Sequence, residues 1–428
     1  MLIRLCEPWD CETNAMKYVV IQGDGMADFP VEELGGLTPL EKAYAPHLDR
    51  LASEGRLGLV RTIPEGMPAG TDVGTMTILG YDPLRFHSGR APIEAASMGI
   101  DLGDEDVAFR CNLVAIDRKA GDGGGAGVMK DFTAGHIASD DAAEIISLLQ
   151  ERLGGDGFDF HAGVSYRHLM VWHGGEDGMT TTPPHDITDR PIAEYLPSGT
   201  GAERLSRLSS DARRLIASHP VNARRRAKGE TPVTDVWLWG QGRRPAMPTL
   251  TSKYGIEGGV ITAVDVVGGL GRLAGLRRIE VPGITGFVDT NFRGKGEHAL
   301  AALDTMDFVF VHVEAPDEAG HMGDAQLKVK SIEELDREVL GTILQGIGRF
   351  GEWAVMVLPD HGTPVSTKTH SADPVPFAIM GSAGPTTPKN TAGSGGAYGE
   401  REAAATGVMI EDGSTLLDCF LGDRWNEI

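Results

Sequence analysis

Three short runs of mainly β-branched, apolar residues constrain this chain most, because each ends in a group that binds cations. Residues 17–22 (KYVVIQ) run into Gly23-Asp24-Gly25, 307–313 (DFVFVHV) lead to Asp317 and His321, and 354–358 (AVMVL) run into Pro359-Asp360-His361-Gly362. Such runs read as strands buried on both faces, which is the signature of a parallel sheet covered by helices. In an open parallel sheet the carboxyl ends of the strands share one rim, where ligands bind. Asp24, Asp317, His321, Asp360 and His361 are thereby expected on that rim, with His370 in the loop before a further strand at 375–380.

The alternation of strands with helical patterns at 39–55 and 325–347 supports an α/β fold. The stretch 105–250 differs. It has shorter, mixed patterns, helices near 140–152 and 202–218, a glycine-rich loop at 121–127 and the basic cluster Arg224–Arg226. It reads as an inserted smaller α+β domain, 105–250, within a discontinuous metal-binding domain, 16–104 and 251–428. The apolar run 259–267 is expected to be the strand that returns the chain, and 1–15 an N-terminal extension. The 381–396 stretch reads as a low-complexity loop.

Three aspartates and three histidines suffice for two divalent cations with open positions. Mixed carboxylate–imidazole ligation suits Mn²⁺, with Mg²⁺, Zn²⁺ or Co²⁺ as alternatives. Without a cation the clustered carboxylates should repel one another and rise in pKa. Each residue also has an ordinary reading. Asp24 fits a turn, Asp317 and His321 fit one exposed helical turn, and a lone histidine such as His370 is more often structural. Their joint placement at strand ends favours the metal reading. Residues 64–74 (PEGMPAGTDVG) add a glycine-flanked Thr71, a candidate nucleophile once its hydroxyl is bound to a metal. Thr71 also fits a helix cap.

The charge balance limits the partners. With 39 Lys and Arg against 61 Asp and Glu, a formal charge of −22 disfavours nucleic acid and anionic membranes. Four cysteines without a CxxC pair fit a reduced, cytoplasmic protein, and no apolar segment approaches a membrane span. There is no GxxxxGK[ST] sequence, which excludes a P-loop kinase.

Taken together, PEGMPAGTDVG at 64–74, DEAGHMG at 317–323, Asp360-His361 and THSADPVP at 369–376 resemble the cofactor-independent phosphoglycerate mutases of the alkaline phosphatase superfamily, in their short archaeal-type branch. The resemblance covers essentially all of 16–420. It implies an alkaline-phosphatase-like α/β/α sandwich and a glycolytic isomerase that needs two divalent metal ions and no 2,3-bisphosphoglycerate. One ion would be held by Asp317, His321 and His370, the other by Asp24, Asp360, His361 and the Thr71 oxygen. Thr71 would carry the phosphoryl group between 3-phosphoglycerate and 2-phosphoglycerate, where relatives mostly use serine. The small phosphorylated acid needs further cations. The candidates are Arg90, Arg110, Arg167, Arg224, Arg226 and Lys295, with His136 and His185 near glycerate and Asp72 beside Thr71. Segments 165–173, 183–189 and 219–229 also look like a sub-branch proposed to phosphorylate homoserine. That phosphotransferase, or a metal-dependent phosphatase, is the alternative on the same scaffold.

Overall fold

A computed structural model describes residues 16–118, 127–382 and 396–422. The N-terminal stretch 1–15, most of the glycine-rich loop and most of the 381–396 loop lie outside the described residues. The chain divides into two compact units, one of Met1–Leu84 with Pro248–Ile428, the other Arg85–Met247.

The first unit is an α/β sandwich on an eight-stranded sheet. Its order is Arg277–Arg278, Gly258–Ile261, Phe308–Val313, Lys17–Gly23, Trp353–Leu358, Val375–Gly381, Arg56–Val60, Met409–Ile410. The three apolar runs at 17–22, 307–313 and 354–358 are neighbours. Lys17–Gly23 lies between Phe308–Val313 and Trp353–Leu358 and is parallel to both, with Gly23 opposite Val313 and Gln22 opposite Leu358. Val19, Ile21, Val309, Val311, Val355 and Val357 form the centre of the core, which explains why these runs carry no polar alternation. The sheet is mixed, since Val375–Gly381 is antiparallel to both of its neighbours.

Three local expectations are revised. The helix expected over 39–55 is two helices, Pro39–Lys42 and Pro46–Glu54. Pro46 has no N–H to continue the first and disfavours helical backbone at the residue before it. The helix expected over 325–347 starts as Ala325–Glu334, loosens to π-helix over Leu335–Leu340 and closes as Gly341–Gly346. Within the π-helical stretch, Asp336 accepts from the N–H groups of His47 and Leu48 and so caps the helix Pro46–Glu54. The returning strand stops at Ile261, and Asp265–Leu273 is helical.

The second unit is α+β, built on an antiparallel sheet around the long strand Val107–Asp117, which pairs with Val128–Asp131, Arg167–Trp172 and Asp235–Gly242. Helices Ser139–Leu153 and Ala202–Ala217 bury Ile145, Leu149, Leu205 and Ile216 against it. This unit starts at Arg85, earlier than the boundary read from sequence. Helix Arg90–Ser97 places Ala91 and Ala95 against Ala108, Leu169 and Val171 of the same sheet. Among the described residues no helix is long and apolar enough to cross a membrane.

Candidate metal centre and nucleophile

The three neighbouring strand ends deliver the acidic groups. Asp24 follows Gly23, and its N–H donates to the Val313 carbonyl at 3.0 Å. Asp360 is fully buried, with Oδ1 accepting from Gly25 N–H at 3.1 Å and from His361 N–H at 3.0 Å. Gly25 has φ +58°, and a Cβ there would run into the Asp317 carboxylate and lie 2.6 Å from Thr363 Oγ1. A side chain at 25 would thus collide with the site as well as strain the backbone. Asp317 and His321 sit on the helix Ala315–Met322, four residues apart and on one face, with His321 Nε2 3.2 Å from Asp317 Oδ2.

The ligand atoms fall into two groups on the first unit, Asp317 with His321 and His370, and Asp24 with Asp360 and His361; within each, the atoms lie within 4.8 Å of one another. The histidines are set up alike. His321 Nδ1 is 3.0 Å from the Lys368 carbonyl, His370 Nδ1 3.2 Å from that of Ala69 and His361 Nδ1 3.3 Å from that of Gly362. A carbonyl only accepts, so each Nδ1 carries the hydrogen and each Nε2 offers a lone pair. The Nε2 atoms of His321 and His370 face each other at 3.0 Å. Two bare nitrogens at that distance need a cation or a proton between them. Asp24 Oδ1, Asp360 Oδ2 and His361 Nε2 are buried without a hydrogen-bond partner. Buried polar atoms of this kind are rare unless something binds them. The donor set therefore fits divalent metal ions.

The protonation energetics agree. Asp24 is pushed well above the carboxylate range, first by burial and then by Asp360, Glu314 and Asp317. Asp360 rises to about 7, mainly by burial, although backbone N–H groups hold it down. Asp317 departs from the expected rise. Burial acts upward on it, but His321, His361 and the Thr363 hydroxyl outweigh burial and hold it at about 2. Its hydrogen bond to His321 lifts that imidazole to about 9. In the absence of metal, a proton on His321 occupies the cation's place.

Thr71 is the first residue of the helix Thr71–Ile78, with Gly70 as its N-cap. Thr71 is thus not the cap. The nearby contacts tie this helix start to the ligands. The Ala69 carbonyl meets His370, and Gly74 lies so close to Asp360 that a Cβ would be 2.6 Å from its carbonyl oxygen. Thr71 and Asp72 are both buried.

On the second unit, several of the basic candidates gather. The Arg110 guanidinium lies 4.2 Å over the Trp239 ring and bonds Glu94 at 3.1 Å. His185 packs edge-on to Trp239 and Phe132, while Tyr166 carries Arg167 over its ring and His136 at its edge. Arg110 is lowered chiefly by burial, and the charges of Arg90 and Arg167 add to this. His185 is lowered chiefly by burial too, with Arg110 and Arg90 contributing. Lys295 needs correction, whereas Arg224 is exposed and ion-paired. Arg224 is held by Asp141 at 2.8 Å and Glu144 at 2.7 Å. Lys295 is fully buried in the first unit with Nζ on the His312 carbonyl at 2.6 Å, and no ligand in solvent reaches it. Arg226 is exposed on the helix Pro220–Ala227.

Comparison with known proteins fits this geometry. A family profile described as 2,3-bisphosphoglycerate-independent phosphoglycerate mutase matches residues 52–222. A protein of Geobacter sulfurreducens named "Probable 2,3-bisphosphoglycerate-independent phosphoglycerate mutase" is 48% identical over 406 residues, 95% of this chain and 100% of that one. The chain belongs to this mutase family. Among solved structures, a Pyrococcus horikoshii protein superposes with a TM-score of 0.79 at 28% identity, over 97% of this chain and 98% of its own. The cofactor-independent phosphoglycerate mutase of Thermoplasma acidophilum gives a TM-score of 0.68 at 27% identity, over 96% of this chain and 100% of its own. The family is one of isomerases that move a phosphoryl group within one molecule.

Sequence reasoning missed four residues around the centre. His312 and Glu314 form a further cluster with Asp24. Lys328 is fully buried and donates to Asp28, the Ala27 carbonyl and the Thr363 carbonyl. Thr363 donates to Asp317. Only His312 left a signal in the sequence, as a polar residue inside an otherwise apolar strand.

Proposed function

We propose that this chain interconverts 3-phosphoglycerate and 2-phosphoglycerate through a phosphothreonine at Thr71, with two divalent ions. One ion is held by Asp317, His321 and His370, the other by Asp24, Asp360, His361 and the Thr71 oxygen. The observation that carries this reading is the set of buried, unpartnered ligand atoms on Asp24, Asp360 and His361, packed against the helix that begins at Thr71. The bound ions supply positive charge for the phosphoryl oxygens and favour the ionised Thr71 hydroxyl.

The residues then act as follows. Thr71 Oγ attacks phosphorus, the bond from phosphorus to the 3-oxygen of glycerate breaks, and in net terms the Thr71 proton ends on that oxygen. Glycerate reorients within the site. Its 2-oxygen attacks phosphorus, the bond to Thr71 Oγ breaks, and the proton of the 2-hydroxyl returns to Thr71. Arg90, Arg110, Arg167 and His185 are the proposed anion-binding groups, because guanidinium forks match carboxylate and phosphate oxygens. Manganese is the proposed metal, since mixed carboxylate and imidazole donors suit it.

Phosphorus NMR of metal-loaded protein with 3-phosphoglycerate, and no 2,3-bisphosphoglycerate, tests this. The expected result is a 2-phosphoglycerate signal that needs the metal, vanishes in Thr71→Ala and survives in Thr71→Ser. Growth of free phosphate alone would replace the mutase with a phosphatase, and an unchanged spectrum from metal-loaded protein would remove the mutase reading.

A further inference from the structure

Asp24, His312 and Glu314 bring two carboxylates and an imidazole together beside the proposed centre, with their nearest ligand atoms within 4.8 Å. Two readings compete, a third cation site and a hydrogen-bonded support for Asp24. Tautomer chemistry separates them.

His312 is fully buried at the end of the strand Phe308–Val313. Its Nε2 is 2.7 Å from Asp24 Oδ2, and its Nδ1 is 3.1 Å from Thr262 Oγ1. The Thr262 oxygen already accepts from Val264 N–H at 3.0 Å. Its own hydrogen is therefore free to be donated, and Nδ1 is the near acceptor, with the Val264 carbonyl farther away at 3.4 Å. A ring nitrogen that accepts carries no hydrogen in the neutral imidazole, so the hydrogen sits on Nε2, where Asp24 Oδ2 at 2.7 Å is the nearer acceptor and Glu314 Oε2 lies farther away at 3.3 Å. This is the reverse of His321, His361 and His370, whose Nδ1 atoms face carbonyls. Those three present lone pairs, whereas His312 presents a donor. A third ion would have to displace that hydrogen, and the buried ammonium of Lys295 lies close enough for its charge to act on Glu314.

We propose that His312 is a positioning residue: its Nε2–H, fixed by the Thr262 hydroxyl, holds Asp24 Oδ2 so that Oδ1 is left turned toward the metal it shares with Asp360 and His361. Two observations place Oδ1 in that role. It has no hydrogen-bond partner although it is fully buried, and it lies 3.5 Å from His361 Nε2. Lys295 supports the same strand end by donating to the His312 carbonyl at 2.6 Å. The inference rests on the reading of Asp24 as a metal ligand.

The test titrates Mn²⁺ into chelator-treated, full-length protein by calorimetry, with bound ions counted by electron paramagnetic resonance. Wild type is expected to bind two ions, and Asp24→Asn to lose one. His312→Phe keeps the ring volume but removes the donor. It should bind one ion as wild type does and the other about 10- to 100-fold more weakly, the usual cost of losing a group that orients a ligand. His312→Gln, which restores an N–H near the Nε2 position, should recover part of that loss, and Thr262→Val should fall between. Two ions bound by His312→Phe with wild-type affinity would overturn the proposal. So would three ions on wild type with one lost outright in His312→Phe, which would establish the third site instead. If wild type binds no ion, the metal reading fails and this inference with it. Should His312→Phe not fold, ¹⁵N NMR of the wild-type imidazoles decides: a hydrogen on Nδ1 of His312 would refute the assignment.

Discussion

Replacing Gly74 with alanine sets two well-known effects against each other. In the middle of a helix, alanine is favoured over glycine by about 1 kcal/mol. Gly74 is fully enclosed, however, and an added Cβ would lie 2.6 Å from the Asp360 carbonyl oxygen and 2.8 Å from the Asp360 Cβ. Both atoms belong to the segment that carries two proposed metal ligands. Neither is the end of a flexible side chain, so the helix Thr71–Ile78 and the Asp360 segment must separate by about 0.8 Å to reach ordinary contact at 3.4 Å. Overpacking of this kind costs about 1–3 kcal/mol, which exceeds or cancels the helix gain. We expect Gly74→Ala to be destabilised by up to about 2 kcal/mol. The same displacement draws Thr71 away from Asp360, and a 1 Å misplacement at a reacting centre costs on the order of 100-fold. The expected fall in kcat is about 10- to 100-fold. The assay pairs denaturant unfolding with the phosphorus NMR rate. Gly348→Ala, in the 3-10 turn Ile347–Phe350 where a Cβ meets nothing within 4 Å, is the control for an unhindered glycine replacement. A Gly74→Ala protein that is more stable than wild type and equally active would refute the close-packing argument.

Two further perturbations follow from buried charge. Lys328→Met strands the fully buried Asp28 carboxylate, which lies 2.8 Å from Nζ, and should cost about 3–5 kcal/mol in urea unfolding; adding Asp28→Asn should restore much of it, and a loss below about 1 kcal/mol would contradict the pairing. In chelator, Asp360 and Glu314 hold their protons up to about 7 and about 8, mainly through burial. Their folded-state values lie above the unfolded ones, so their contribution is full below about pH 4 and lost as pH rises through 7 to 8. Buried His312 and His361, whose pKa values are lowered chiefly by burial, act the opposite way below about pH 6.5, so metal-free protein should lose melting temperature from about pH 6.5 to pH 8. Mn²⁺-loaded protein should not, because bound cations favour the ionised carboxylates. A metal-free protein as stable at about pH 8 as at about pH 6.5 would contradict this.

Asp24 and Asp360 stand one and two residues beyond buried strands, where hydrophobic runs make the strand ends visible in the sequence, and Asp317 and His321 follow a third such strand. What stayed hidden depends on tertiary partners. Lys328 looks like any helical lysine until its ammonium is found among the Ala27, Asp28 and Thr363 oxygens. Lys295 shows the converse: read within RGKGE as a cation for the substrate, it is fully buried with its Nζ on the His312 carbonyl. The π-helical stretch at Leu335–Leu340 was also invisible, since its apolar spacing continues the helices on either side.

The strand order has a consequence for biosynthesis. Lys17–Gly23 leaves the ribosome long before both of its neighbours, Phe308–Val313 and Trp353–Leu358. The whole of Arg85–Met247 is made in between, and the described strands of its sheets pair only with one another. That unit can fold while the first strand still waits for partners, with an apolar edge open to misassociation. Ribosome-stalled chains ending near residue 300 should thus carry a protease-resistant second unit and a protease-sensitive first segment. A nascent chain that has released Asp24 and Thr71 but none of the other proposed ligands could complete neither ion site, so the proposed centre would be assembled last.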